Sequence, residues 1–579
     1  MLLLFALLLA TTCAAVPVHV RESGAATDVV ETSHGPITGL MESSGLAWFR
    51  GVPFAAPPVG ELRFRRPVAP TPWTEPRECT TKPNVCASLK LDRSDVTGSE
   101  DCLYLDVYSP KFGQGGEKKP VMVWIYGGGF TIGDAYEFGW YDGRNLANDK
   151  DVVFVAMNYR LGPFGFFASG HLAAEDADHS TGGYGIMDQR LALQWVQDNI
   201  AAFGGDPDNV TIFGQSAGGM SVCSHIASPA SAGLFHKAIV QSGPCDSPAF
   251  FQPLDGAIKF GKEYGQASGC APDLASAEWL SCMRGLSMAD LLTTILSWFD
   301  PDWPFPDPAS AKMAGLRSAG RARELAAMLV SDDSPFVPPF APVMPFGPVL
   351  DGTPAGLTDP PITAIAKGNF NKVPVLHGHV KDEGTIFVPT MPLMVHGVEL
   401  PLNDTGFGDI LGHYFNATTA AKIRTLYDDG SSFDNRISVV IRDWQFACPH
   451  RRLGRALTSN GVDNYAYWFN YAEHWYDNAK LGDYHTCEIV MVMRNQWPFL
   501  VHLFSAADRA ISDLMSSYWT TMAATGTPNA DGAPEWPAFR LADDVLLQLS
   551  GSDPTPATDF AHDICDFWDT VHIKSLIKE

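Results

Sequence analysis

The sequence is short of positive charge. Its 579 residues include 40 Lys or Arg against 65 Asp or Glu, a formal net charge of −25. Nucleic acid and anionic membrane surfaces recruit basic patches, so neither is expected as a partner. Beyond the first fifteen residues no apolar run is long enough to span a bilayer. There is no internal repeat and no low-complexity tract, which excludes a solenoid or a disordered linker protein. Metal-ligand patterning is also missing. His377-Gly378-His379 has no further ligand cluster around it, so the pair reads as loop histidines, with no metal or cofactor expected. The C-terminal "HIKSLIKE" is neither an ER-retention tetrapeptide nor a GPI-anchor tail.

What is present begins with Met1–Ala15, almost wholly apolar and ending in Cys13-Ala14-Ala15. The run is too short to cross a membrane and is followed by small residues, as in a cleaved secretory signal, although it lacks the usual basic start. That reading predicts a secreted chain of residues 16–579. Ten of the eleven cysteines fall after the signal, which fits an oxidising compartment. Sequons at Asn403 and Asn416 lie in polar surroundings and are expected to carry glycans. The sequon at Asn209 leads into an apolar strand and is expected to stay unmodified.

The mature chain alternates short apolar runs with helical stretches. "VMVWIY" (121–126), "VVFVAM" (152–157), "NVTIF" (209–213), "KAIVQSG" and "VPVLHGHV" read as buried strands, and 185–203 as a helix packed on them. This predicts an α/β protein with a large, mostly parallel sheet flanked by helices and with long loop and helical insertions. "FRGVPFAAPPVGELRFRRP" (49–67) is too rich in proline for a helix or a central strand. The Pro/Asp/Ser-rich segment 299–312 reads as a surface excursion.

Four places carry chemistry. "IFGQSAGGMS" (212–221) sets Ser216 in a G-x-S-x-G turn between a strand and a helix. That is the context of a nucleophile elbow, which lifts a serine hydroxyl clear of the sheet. An alcohol at neutral pH is a poor nucleophile, so it needs a base, a carboxylate to orient the base, and donors for the oxyanion. "WIYGGGF" puts three glycines directly after a strand, where bare N–H groups could join that of Ala217 in an oxyanion hole. Lys381-Asp382-Glu383-Gly384 closes another strand and offers the acid. In this architecture the base follows the acid, and His474 and His485 are the candidates. His485, at the far end of a loop returning over the sheet, is the better placed.

Longer motifs surround these residues: "EDCLYLDVY" (100–108), "NYRLGPFGF" (158–166), "GIMDQRLALQWVQDNI" (185–200), "FGGDPDNVTIFGQSAGG" (203–219), "KDEG" (381–384), "YHTCE" (484–488) and "CDFWD" (565–569). Together they resemble the type-B carboxylesterases of the cholinesterase-like group, over nearly the whole mature chain as one α/β-hydrolase domain. The resemblance implies a serine esterase working through an acyl-enzyme on small-molecule or lipid esters. Ser216 would be nucleophile, Glu383 orienting acid, His485 base, and Gly128, Gly129 and Ala217 the oxyanion donors. It also pairs Cys86 with Cys102, Cys270 with Cys282, and Cys448 with Cys565. That leaves Cys79, Cys223, Cys245 and Cys487 as thiols. Two departures bear on substrate. Gln215 stands where cholinesterases have Glu, and the Cys86–Cys102 loop contains no Trp. Both argue against choline esters. Met344 and Pro342 stand where those enzymes have paired phenylalanines, which implies a roomier acyl pocket. A non-catalytic adhesion module on the same scaffold, or a lipase-type esterase, are the alternatives.

Overall fold

The computed structural model describes residues 24–90, 95–246, 250–271, 274–299, 344–395, 397–471, 481–495, 504–558 and 562–571. The proposed signal 1–15, most of 299–312 with Pro342, and His474 lie outside the described residues.

Twelve strands form one sheet: β1 (Ala25–Ala26), β2 (Leu40–Met41), β3 (Ala47–Pro53), β4 (Tyr104–Ser109), β5 (Lys119–Ile125), β6 (Val153–Met157), β7 (Gly205–Gln215), β8 (Lys237–Gln241), β9 (Val375–Val380), β10 (Asn464–Phe469), β11 (Leu546–Leu549) and β12 (Thr555–Ala557). Their spatial order is β1-β2-β3-β4-β6-β5-β7-β8-β9-β10-β11-β12. The block from β6 to β11 is parallel throughout, and antiparallel strands flank it on both sides. Parallel strands covered on both faces need apolar side chains on both sides. β5 and β6 meet that demand, with Val121 to Ile125 and Val153 to Met157 all buried.

Helices supply the cover. α1 (Tyr184–Asn199) runs between β6 and β7 and continues as a 3₁₀ turn to Phe203, with Ile186, Leu193, Trp195, Val196 and Ile200 inward. α2 (Ala217–Ala227) leaves the end of β7. α3 (Cys448–Ser459) lies against β9 and β10, and α4 (Ala506–Thr525) against β5 and β7. The chain steps outward from β5 to β6 and then back across β5 to β7. Such a reversal of direction opens a crevice at the carboxyl ends of the strands.

Two expectations need correction here. The segment beginning at Phe49 is not strand-free: β3 carries Phe49–Pro53 and lies inside the sheet between β2 and β4. Proline is tolerated because Pro53 is the last strand residue and because the register slips between Phe49 and Val52. The second concerns sulfur. Cys86–Cys102, Cys270–Cys282 and Cys448–Cys565 are joined, but so are Cys223 and Cys245, which leaves Cys79 and Cys487 as the free thiols among the described residues. Cys223 lies on α2 and Cys245 just beyond β8, with Cα atoms 5.3 Å apart, within the span of a disulfide.

Candidate active site

Ser216 stands at the sharp corner between β7 and α2 with φ 59° and ψ −124°, a conformation that side chains rarely adopt. The corner is held because the Ser216 N–H donates to the Gln241 carbonyl of β8 at 2.9 Å. It is possible because α2 crosses the neighbouring strand at backbone distance: a Cβ at Gly218 would overlap the Ile125 carbonyl of β5. The G-x-S-x-G spacing follows from that close approach.

The glycine run after β5 forms a second turn beside Ser216. Gly128 and Gly129 have φ of 106° and 61°, and the Met344 side chain lies directly over Gly129. The N–H groups of Gly128, Gly129 and Ala217 donate to no other group among the described residues. Three unspent donors beside a serine can receive a developing oxyanion.

Glu383 begins a 3₁₀ turn (Glu383–Ile386) just past β9, and His485 lies on the loop that follows β10. Their side chains meet: His485 Nδ1 donates to Glu383 Oε2 at 2.5 Å, with both groups buried. Glu383 Oε1 accepts the Val380 N–H at 2.9 Å. With Nδ1–H committed, His485 Nε2 keeps a lone pair for accepting a proton. Among the described residues no hydrogen bond closes the step from Ser216 Oγ to His485, a link that commonly tightens only when substrate binds. The imidazole packs against Phe387 and Phe446, with ring centroids 5.3 and 5.0 Å away. Gln215 Nε2 lies 3.2 Å from His485 Nε2 and 3.4 Å from Nδ1. The Gln215 amide therefore lies against the imidazole, within hydrogen-bond reach of its ring nitrogens.

Two residues that the motifs did not single out complete the base of the site. Gln241 holds Ser216 with its backbone and Glu488 with its side chain: Nε2 donates to Glu488 Oε1 at 3.3 Å, while Oε1 accepts from Trp519 Nε1 at 3.0 Å. Burial, with Glu383 nearby, raises the Glu488 carboxyl to about 8, so it is protonated at neutral pH. Neither residue carries a spacing signature of its own. His377 and His379, read as loop histidines, are instead buried on β9, where they stack with His450 of α3. Among the described residues no cluster of His, Cys, Asp or Glu could hold a metal ion.

The parts of the site thus come from the carboxyl ends of β5, β7, β9 and β10. A family model for the carboxylesterase family matches residues 26–568. The chain belongs to the carboxylesterase family. An acylcarnitine hydrolase of Mus musculus is 30% identical over 562 residues, covering 92% of this chain and 89% of the relative. A carboxylesterase 1D of Rattus norvegicus is 30% identical over 595 residues, covering 95% and 94%. Among solved structures a thermophilic PNB esterase superposes with a TM-score of 0.73 at 28% identity, over 93% of this chain and 99% of that one. This carboxylesterase therefore has the α/β-hydrolase fold and is a carboxylic ester hydrolase of the serine hydrolase type. Among its described residues no helix is long and apolar enough to cross a membrane.

Proposed function

We propose that this carboxylesterase is a secreted enzyme that cleaves carboxylic esters through an acyl-enzyme on Ser216. The observation that carries this reading is the buried hydrogen bond from His485 to Glu383, which joins residues 102 positions apart beside the Ser216 corner. His485 Nε2 takes the Ser216 proton as Oγ attacks the ester carbonyl, and the N–H groups of Gly128, Gly129 and Ala217 receive the oxyanion. His485 returns the proton to the departing alcohol. Water then repeats the sequence on the acyl-enzyme, and Glu383 holds the imidazole in the required tautomer throughout. Ser216→Ala should lower hydrolysis of p-nitrophenyl esters by about 10⁴-fold or more. Near-wild-type turnover in that variant would remove Ser216 from the mechanism.

Secretion is supported by the apolar start and by four disulfides. Asn403 and Asn416 are both exposed helix N-caps, accepting through Oδ1 from Gly406 N–H and Thr419 N–H. Capping through Oδ1 leaves Nδ2, the atom a glycan occupies, outside the cap. Asn209 is tied instead to Lys237 and to the Ala524 carbonyl.

Substrates are small-molecule or lipid esters. Relatives named for acylcarnitines and for pyrethroids match at the same 30% identity, so the relatives do not select one alcohol. The side chain before the nucleophile is a neutral amide. A carboxylate there would attract a quaternary ammonium, and a cation–π face would add roughly 0.5–2 kcal/mol. Without them, kcat/KM for acetylthiocholine should not exceed that for an uncharged thioester of similar size at matched pH and ionic strength. A tenfold preference for the cation would overturn this assignment.

A further inference from the structure

Glu383 and His485 sit on separate loops, and one hydrogen bond cannot fix both the distance and the angle between their side chains. The two loops are stitched together by groups outside the proposed triad. Asp382 N–H donates to the Asp483 carbonyl at 2.9 Å, and the Asp483 N–H donates back to Asp382 Oδ2 at 2.9 Å. Thr385 Oγ1 donates to the Leu481 carbonyl at 2.9 Å. The loops press so closely that Gly482, at φ 61°, has no room for a side chain: a Cβ there would overlap the Asp382 carboxylate. Asp382 immediately precedes the orienting acid, and Asp483 lies two residues before the base.

We propose that Asp382 is a positioning residue for the Glu383–His485 pair, fastening the acid-bearing loop to the base-bearing loop through the Asp483 amide. The inference rests on the esterase reading given above. Asp382 touches neither substrate nor reacting atoms. It sets where Glu383 stands relative to the imidazole, and a misplacement of about 1 Å in such a constellation can lower the rate about 100-fold. The fastening also has a pH-sensitive neighbour. The Asp483 carboxyl is buried, and its Oδ2 has no hydrogen-bond partner. Burial and the facing Asp382 charge raise it to about 7, against the opposing pull of Lys381 and a hydrogen bond from the Tyr471 main chain. Above that pH two carboxylates face each other across the seam.

The test uses the full-length protein with Asp382→Ala, Asp382→Asn and Thr385→Val. Turnover of a p-nitrophenyl ester is measured together with the rate at which a fluorophosphonate labels Ser216. Asp382→Ala should lower kcat about 100-fold with KM changed less than threefold, and slow labelling to a similar degree. Asp382→Asn keeps an acceptor oxygen and should recover most of that loss. Because it removes the charge facing Asp483, the fall in labelling that repulsion between the two carboxylates causes above about pH 7 should be absent in this variant. Thr385→Val should show a smaller fall in kcat at unchanged KM. Wild-type kcat in Asp382→Ala, or a loss confined to KM, would overturn the proposal. If Asp382→Ala does not fold, wild-type kcat in Thr385→Val, which cuts the same seam at the Leu481 carbonyl, would overturn it. Failure of the esterase reading has a different signature, because wild-type protein would then neither hydrolyse esters nor be labelled at Ser216.

Discussion

Ser216 is held in a backbone conformation that suits glycine, and the strain has a measurable consequence. A residue in that region costs on the order of 1–3 kcal/mol. Ser216→Ala keeps the Cβ and hence the strain. Ser216→Gly releases it, while adding about 0.5–1 kcal/mol of unfolded-state entropy. Both variants should be inactive, and Ser216→Gly should melt at the higher temperature. Equal melting temperatures would mean that the corner is not strained. His485→Ala should lose about as much activity as Ser216→Ala, with the double variant little worse, because members of a triad act as a unit. At this scale the motifs were informative: G-x-S-x-G and the glycine run are short, local and forced by close backbone approach. Gln241 and Glu488 were not legible, since a buried amide and a buried acid look like any other Gln and Glu until the chain has folded.

The elements that carry these residues are tied together covalently as well as by packing. Cys223–Cys245 fastens the helix behind Ser216 to the segment following β8, where the Gly219 and Gly243 backbones lie against each other. The resemblance to the family left these two cysteines as thiols, because pairing depends on a spatial approach that spacing does not encode. Secreted protein, denatured without reductant, should therefore show two thiols, Cys79 and Cys487, and peptide mapping should recover Cys223–Cys245. Four thiols would show the bond absent. In the chain-entropy view this 22-residue separation corresponds to about 3 kcal/mol, and the 117-residue separation of Cys448–Cys565 to about 5 kcal/mol. The Cys223→Ser/Cys245→Ser pair should accordingly destabilise the protein less than Cys448→Ser/Cys565→Ser. Strand identities were legible from β5 to β9, where apolar runs are continuous, whereas β11 was not read as a strand. They were misread at β3, where proline at a strand end and a register slip hide the pattern.

At the scale of the whole molecule, two opposed sets of buried titrating groups set the pH of greatest stability. Burial lowers several histidines: His225 to about 3, His377 to about 4, and His236, His379 and His450 also downward. A depressed folded value means that the unfolded chain binds the extra proton, so this stability is complete above about pH 6.5 and is lost as pH falls toward the folded values. The hydrogen bonds around His377 agree with a neutral ring there. Asn464 Oδ1 accepts from His377 Nε2, and His377 Nδ1 must then accept from His450 Nδ1, 3.4 Å away. Buried carboxyls move the other way, chiefly through burial: Asp106 to about 6, Glu137 and Asp483 to about 7, Glu488 to about 8, and Asp188 also upward. Here the folded chain holds the extra proton, so stability is greatest below the unfolded values near 4 and is lost as pH rises through the folded ones. The two sets balance where folded and unfolded chains bind equal numbers of protons. Because the histidine contribution is complete only above about pH 6.5 and the carboxyl contribution is being lost by about pH 6, that point falls in the mildly acidic range. The net charge of −25 at pH 7 adds to the alkaline slope, because self-repulsion grows as pH rises above the isoelectric point. Thermal melts at constant ionic strength should therefore peak in that mildly acidic window. Glu488→Gln, which stays neutral at every pH, should flatten the alkaline side while leaving the acid side unchanged. A melting temperature that climbs steadily to pH 8 would show that these buried acids do not hold their protons in the folded chain.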